Sequence, residues 1–157
     1  MRAGAAGRGT GIVTATDLLL AAQALASVAM CGVIWFVQVV HYPLFAHVPT
    51  GGDYPRDNQR RTAWVVIPPM LVEGLAALAL AVRPPAAVGA AAAWLGLALV
   101  LALWLSTATL QMPLHRRLAR EGHAADTIAA LVRGNWLRTA LWTTRAALSI
   151  WMLEVAA

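Results

Sequence analysis

Four long apolar segments, separated by short polar stretches, dominate the hydropathy pattern of this chain. Each segment has close to the ~20 residues that an α-helix needs to cross a bilayer at ~1.5 Å rise per residue. Short connections between consecutive segments favour antiparallel neighbours. The pattern therefore predicts an all-α, polytopic membrane four-helix bundle with up-down-up-down topology. The predicted spans are Leu18–Val40, Trp64–Val82, Ala86–Leu110 and Trp136–Ala156.

The polar stretches complete the predicted organisation. Residues 1–16 are rich in glycine, alanine and arginine, which is typical of a disordered tail, and residues 17–157 are predicted to form a single four-span transmembrane domain. Between spans three and four, the segment 114–134 combines charged and apolar residues, which predicts an interfacial amphipathic helix. The first apolar segment is too long for a signal peptide and no A-x-A-like cleavage site follows it, so we expect a retained span.

The composition and charge agree with a membrane protein. Hydrophobic residues make up 60% and charged residues 12% of the chain, whereas soluble domains carry about 25% charged residues. The basic residues are all arginines, and most of them lie in the first and third polar loops. The positive-inside rule then places both loops in the cytoplasm and both termini outside a bacterial inner membrane. These positions favour the lipid bilayer and a lipophilic small molecule as partners over nucleic acid, and they leave a homo-oligomer or a membrane partner protein open.

The fourth span carries two arginines on one polar face. Residues within an arc of about 80° on that helix are Asn135, Arg138, Trp142, Arg145 and Ser149. An arginine at mid-membrane costs ~2.5–3.5 kcal/mol on insertion scales, so it needs a partner. Glu73 lies at a similar depth in the second span, about 13–15 Å along its helix. We predict an ion pair between Glu73 and Arg145, which serves either to fix helix packing or to take part in chemistry.

Spans one and three add further polar and aromatic residues at the same end of the bundle. Trp35, Gln38 and Tyr42 share one face of span one, with His41 one step to its side. Aromatic walls with polar tips suit a flat, lipophilic aromatic or quinone-like ligand. The candidate substrate-binding residues are Trp35, Gln38, Trp104, Thr107, Gln111, Asn135 and Trp142. The candidate catalytic residues are His41, His115, Arg138, Arg145 and Glu73.

Two histidines in this set raise the question of a cofactor. His41 and His115 lie at the same end of the predicted bundle, and a histidine pair is compatible with a metal or a haem. No HxxxH, ExxH or CxxC motif accompanies them. The alternative is an interfacial histidine that bonds a neighbour or transfers a proton. The sequence therefore leaves two expectations open: no cofactor, or a metal or haem held by His41 and His115.

Four short motifs carry a resemblance to a known family. They are QVVHYPLF (38–45), PPMLVEG (68–74), MPLHRRL (112–118) and NWLRTALWTTR (135–145). With these motifs the chain resembles small four-helix bacterial membrane proteins that are distantly similar to the anthrone-oxygenase-like family. The resemblance implies oxidation of polycyclic phenolic substrates without a conventional cofactor. This chain has Asp57 and Asn58 where such relatives carry histidines.

Two function hypotheses follow. In the first, the protein oxidises a lipophilic aromatic or quinone-like substrate that enters from the membrane. His41 or His115 removes a phenolic proton, since imidazole titrates near neutral pH, and Arg138 and Arg145 stabilise the resulting oxyanion. Glu73 holds Arg145, while Gln38, Gln111 and Asn135 orient the substrate. In the second, the chain is a non-enzymatic membrane module, either a small transport or proton-path subunit or an assembly partner of a larger complex.

Overall fold

The computed structural model describes residues 13–48, 54–122 and 124–157, and within these ranges it contains helices and no strands. Two π-helical segments, Val37–His41 and Thr107–Gln111, and a 3-10 turn at Phe45–His47 interrupt the α-helices. The α-helices are α1 (Ala15–Phe36), α2 (Tyr42–Leu44), α3 (Tyr54–Val82), α4 (Ala90–Ser106), α5 (Met112–Glu121) and α6 (Ala125–Ala156). The all-α prediction is confirmed, while the predicted disordered tail lies mostly outside the described residues.

The four long helices α1, α3, α4 and α6 form the bundle. α1 packs against α3 and α6, and α4 packs against the same two helices, so α1 and α4 lie on opposite corners. One apolar cluster, which includes Met30, Leu103 and Trp142, fills the end of the bundle that holds the π-helical segments. A second cluster around Leu20 and Met152 fills the other end. The predicted four-helix bundle is confirmed.

Three helical stretches in the described part of the chain are long and apolar enough to cross a membrane: Ala15–His47, Tyr54–Val82 and Ala90–Glu121. They indicate an integral membrane protein. α6 has 32 residues, but Arg138, Arg145 and Glu154 interrupt its apolar sequence, and it is not among these three stretches. It packs into the same bundle, and its crossing of the membrane stays a prediction.

Local sequence signals set the helix ends. At the start of α1, the Thr14 hydroxyl accepts a hydrogen bond from the Asp17 amide and the Asp17 carboxylate accepts one from the Thr14 amide, which forms a capping box. α5 ends at Gly122, whose φ of 82° lies in the left-handed region that glycine tolerates. α6 then begins at Ala125, eleven residues before the predicted start of span four. The predicted interfacial helix is therefore α5 together with the first turns of α6.

The two π-helical segments lie where prolines would otherwise end the helices. Each segment ends two residues before a proline, in His41-Tyr42-Pro43 and Gln111-Met112-Pro113. A proline ring in an α-helix clashes with the carbonyl four residues earlier, and π-turns commonly lie where such a ladder is interrupted. The helices of α1 and α4 therefore continue past their prolines, and His41 and Gln111 occupy matching positions in the two segments.

Gly96 brings α4 close to the buried guanidinium of Arg145. A Cβ atom at Gly96 would lie 3.3 Å from Nη1 of Arg145, whereas one at Gly32 on α1 would have no heavy atom within 4 Å. The absence of a side chain at residue 96 therefore makes room for the arginine.

We expect Gly96→Leu to destabilise the bundle by about 1–3 kcal/mol, because the added side chain overpacks the space against Arg145. Gly32→Leu is the matched control and should leave the thermal unfolding midpoint in detergent unchanged or higher, since it adds a good helix former in open space. Equal midpoints for the two variants would contradict this packing role of Gly96.

Candidate functional site

A cavity of about 250 Å³ lies at the end of the bundle that holds the two π-helical segments. Its walls come from α1, both π-helical segments, α2, α3, α5 and α6. They are largely apolar, with Met30, Ile34, Val66 and Met70 among the lining residues. The predicted site residues that line the cavity are His41, Thr107, Gln111, His115 and Arg138.

Arg138 is the charged group of this cavity. Its side chain is 8% exposed, and no carboxylate of the described residues lies within ion-pair distance of it. Its Nη1 donates to Oδ1 of Asn135 at 3.1 Å, and its Nε has no hydrogen-bond partner among the described residues. Arg138 is therefore a buried cation whose charge the described protein groups do not neutralise.

A short hydrogen-bond chain holds Arg138 in place. The Asn135 amide, which accepts from Arg138, donates to Oε1 of Gln38 at 2.9 Å. The Gln38 amide in turn donates to the carbonyl of Val132 at 3.2 Å. Gln38 and Asn135, both predicted as substrate-binding residues, thus lie behind Arg138 and orient it rather than line the cavity.

Tyr42 and His115 form a second polar pair in the cavity. The Tyr42 hydroxyl lies 2.9 Å from Nε2 of His115, and the same hydroxyl interacts with the guanidinium of Arg138. His41 lies beside Tyr42, with ring centroids 5.9 Å apart, and its Nε2 is 3.3 Å from the Asn58 amide. We call His41, Tyr42, His115 and Arg138 the polar cluster.

Gln111 presents an unpartnered amide to the same cavity. Its side chain is 1% exposed, and neither Nε2 nor Oε1 has a hydrogen-bond partner among the described residues. The Nε2 atom would lie 3.0 Å from a Cβ at Gly134, so α6 approaches this side chain closely. A buried amide without partners costs about 1–3 kcal/mol, which points to a polar group that binds there.

Glu73 and Arg145 form a separate, closed network deeper in the bundle. Both side chains are fully buried, and Nε of Arg145 lies 3.0 Å from Oε1 of Glu73. The Ser27 hydroxyl donates to the same carboxylate oxygen at 2.6 Å, and Nη2 of Arg145 donates to Oε1 of Gln23 at 2.6 Å. The predicted ion pair is confirmed, and neither of its residues lines the cavity.

The three tryptophans of the predicted binding set lie outside the cavity. Trp35 donates to the Thr143 hydroxyl at 3.1 Å and meets the ring of Trp136 edge-on at 5.8 Å. Trp104 packs over Gly74, and Trp142 is buried in the apolar cluster. These side chains pack helices together in the structure, and their contact with a substrate stays a prediction.

Sequence reasoning gave no role to several residues that line the cavity. Tyr42 was recognised only as a residue on the same face as Gln38. Once the helix is known to continue past Pro43, the position of Tyr42 next to His41 indicates that its side chain lies near the same site. Asn58 and Thr62 come from the first turns of α3, and no local pattern indicates that this end of α3 approaches the first π-helical segment. The apolar lining residues carry no signal that separates them from ordinary core.

The two histidines both reach the cavity, and each engages its Nε2 atom with a neighbour, Asn58 or Tyr42. Among the described residues, no group of three or more histidine, cysteine, aspartate or glutamate side chains could hold a metal ion. A metal or haem at His41 and His115 stays a prediction, and it would need donors beyond these two side chains.

Comparisons of the chain with known protein families, with curated proteins and with solved structures find no match. The chemistry of the site therefore rests on its own geometry. That geometry combines an apolar cavity, an uncompensated cation, an unpartnered amide and a tyrosine–histidine pair. Together they can bind an oxygen atom that carries negative charge and exchange a proton with it.

The closed network generates a prediction about stability. Arg145→Met should lower the free energy of unfolding by about 3–5 kcal/mol, because it leaves the Glu73 carboxylate buried without its counter-charge. Adding Glu73→Gln should recover most of this loss, since the double variant buries no charge. Denaturant titration of both proteins in detergent, followed by circular dichroism, measures the difference. If the losses of unfolding free energy caused by the two substitutions simply add in the double variant, the predicted coupling between Glu73 and Arg145 is contradicted.

Proposed function

We propose that this protein is an integral membrane enzyme that oxidises a lipophilic phenol- or quinone-like substrate with dioxygen. The observation that carries the proposal is the state of Arg138, a buried cation at an apolar cavity with no carboxylate partner among the described residues. Burial of an ion costs several kcal/mol unless its charge is compensated. An oxygen atom of the substrate that acquires negative charge during the reaction would provide that compensation.

The lining of the cavity supports a substrate with a flat apolar body and one polar edge. Methionine and branched aliphatic side chains from α1 and α3 provide adaptable apolar contact. Arg138 and the unpartnered amide of Gln111 can both bind a substrate oxygen. Such a division between apolar walls and a few polar groups is typical of small-molecule sites.

The polar cluster suits removal of a phenolic or enolic proton. The substrate O–H donates its proton to the Tyr42 hydroxyl oxygen, and Tyr42 passes its own proton to Nε2 of His115, 2.9 Å away. The resulting oxyanion is held by Arg138, whose position Asn135 and Gln38 fix. His41, held by Asn58, is the other base within this cavity.

Deprotonation makes the ring electron-rich enough to transfer electrons to dioxygen. In the net reaction, the phenolic O–H and a ring C–H opposite it are lost, and with O₂ they give a quinone and H₂O, so that dioxygen is both the oxidant and the source of the new carbonyl oxygen atom. The residues of this chain bind the substrate, hold its charge and move its proton. This proposal agrees with the resemblance of four motifs to anthrone-oxygenase-like proteins.

A non-enzymatic role in proton conduction is the second candidate, and one observation favours it. Oε2 of Glu73 is buried and lacks a hydrogen-bond partner among the described residues, and a buried membrane acid is a functional candidate in its own right. If Glu73 carries protons, liposomes containing the protein should show proton flux that Glu73→Gln abolishes and that Glu154→Gln, at the end of α6, does not. If the proton flux does not exceed that of protein-free liposomes, this role is excluded.

Arg138→Leu tests the enzymatic proposal. We expect it to lower turnover of a lipophilic phenol by about 10²–10³-fold, because it removes the group that stabilises the oxyanion. The variant should unfold at the same or a higher temperature than wild type, since a leucine replaces an uncompensated buried charge. Oxygen consumption and product formation with a panel of lipophilic phenols measure turnover, and detergent unfolding measures stability.

Arg133→Leu provides the matched control on the same helix. Arg133 is exposed and does not line the cavity, so its loss should leave turnover unchanged. Full activity in the Arg138→Leu protein, or an equal loss in both variants, would remove Arg138 from the mechanism.

A further inference from the structure

The size of the cavity limits what it can enclose. Pockets for drug-sized ligands commonly measure about 300–1,000 Å³, and this cavity measures about 250 Å³. A compact head of one or two rings fits such a volume better than a larger polycycle does. A bulkier ligand would have to extend out of the cavity.

Exposed side chains of the cavity lining lie on α3 and at the start of α5, and they mark an opening of the cavity at the outside of the bundle. Among the described lining residues, the large apolar side chains that are also exposed are Ile67 on α3, at 49%, and Met112 at the start of α5, at 42%. Both belong to helical stretches apolar enough to cross a membrane. Lipid tails surround the exposed side chains of such stretches within the bilayer, so an opening at Ile67 and Met112 would face hydrocarbon rather than water.

The groups at this opening differ from those of the polar cluster. Ile67 and Met112 offer apolar contact only, and Val66 and Met70 continue the apolar wall inward. Arg138, the Tyr42–His115 pair and the Gln111 amide supply the polar contacts of the same cavity. One ligand that satisfies both sets has an oxygen-bearing ring and an attached hydrocarbon chain.

We propose that the ligand is a tailed phenol or quinone, whose one- or two-ring head occupies the cavity while its hydrocarbon chain leaves between Ile67 and Met112 into the bilayer. This inference rests on the proposed function and specifies its substrate class. It implies that the substrate is a lipid of the membrane itself rather than a free polycyclic molecule, and that it reaches the polar cluster sideways without passing through water.

The test compares two probes that share one head. The probes are 2-methyl-1,4-naphthoquinone and its derivative with a decyl chain at carbon 3, and their dissociation constants are measured on the full chain in nanodiscs. Ile67→Trp narrows the opening, and Leu75→Trp is the control, because Leu75 lies two turns further along α3, is 68% exposed and does not line the cavity.

We expect Ile67→Trp to raise the dissociation constant of the tailed probe by about tenfold or more and to change that of the tail-less probe by less than about twofold. Leu75→Trp should change neither dissociation constant. A third probe with a diazirine on its tail gives a readout independent of affinity. In the wild-type protein it should cross-link to the peptides around Ile67 and Met112, and this result holds even if Ile67→Trp does not fold.

The outcomes separate this inference from the proposed function. Suppose that both quinones bind and that Arg138→Leu abolishes this binding. If the cross-links then fall elsewhere, or if Ile67→Trp weakens the binding of neither probe, the tail does not leave between Ile67 and Met112 and the inference is overturned. If neither quinone binds in an Arg138-dependent manner, the inference is overturned, and the turnover of phenols by the Arg138→Leu protein then decides separately whether the proposed function stands.

Discussion

The buried ion pair between Glu73 and Arg145 constrains how the four long helices can pack. Glu73 lies on α3 and Arg145 on α6, and α1 contributes Gln23 and Ser27 to the same network. α4 approaches the guanidinium at Gly96, where a side chain would be in the way. Displacing α1, α3 or α6 would separate charges or hydrogen bonds in a medium that offers no water to replace them. The pair therefore sets the rotation and depth of α3 and α6, and with them the shape of the cavity above it.

The two arginines of α6 show how one helix face can serve two purposes. Arg145 is neutralised by an acid on α3, donates a hydrogen bond to α1, lies against Gly96 of α4 and does not line the cavity. Arg138, two turns earlier, is held by neutral amides and borders the cavity with its charge uncompensated. Spacing along the helix gives both residues the same direction, so the difference comes from what the neighbouring helices place opposite each one. The network of Glu73 and Arg145 stabilises the fold, whereas the uncompensated charge of Arg138 is available to bind a ligand.

The sequence was sufficient for features that depend on length, hydropathy and depth. Helix length and apolar character predict the bundle, and counting residues along two helices that run in the same direction predicts the contact between Glu73 and Arg145. The convergence of His41, Gln111, His115 and Arg138 follows from the same topology, which places their helix ends together.

Direction around a helix is harder to derive from the sequence where the helix is interrupted. A continuous α-helix would place Trp104 on the same face as Gln111 and His115. The π-helical segment lies between them, and Trp104 packs on Gly74 while the other two line the cavity. The face of an interrupted helix cannot be followed through the interruption from spacing alone.

The two π-helical segments also bear on how bundles of this kind can diversify. A π-turn closes its hydrogen bonds over five residues instead of four, so it behaves as a one-residue insertion within an α-helix. Loss of one residue from either segment would rotate the helix on one side by ~100° relative to the other. The lining of the cavity could then be exchanged as a set, without substitution of any lining residue. His41 and Gln111, at matching ends of the two segments, mark the points at which a change in chain length would alter the ligand that the bundle accepts.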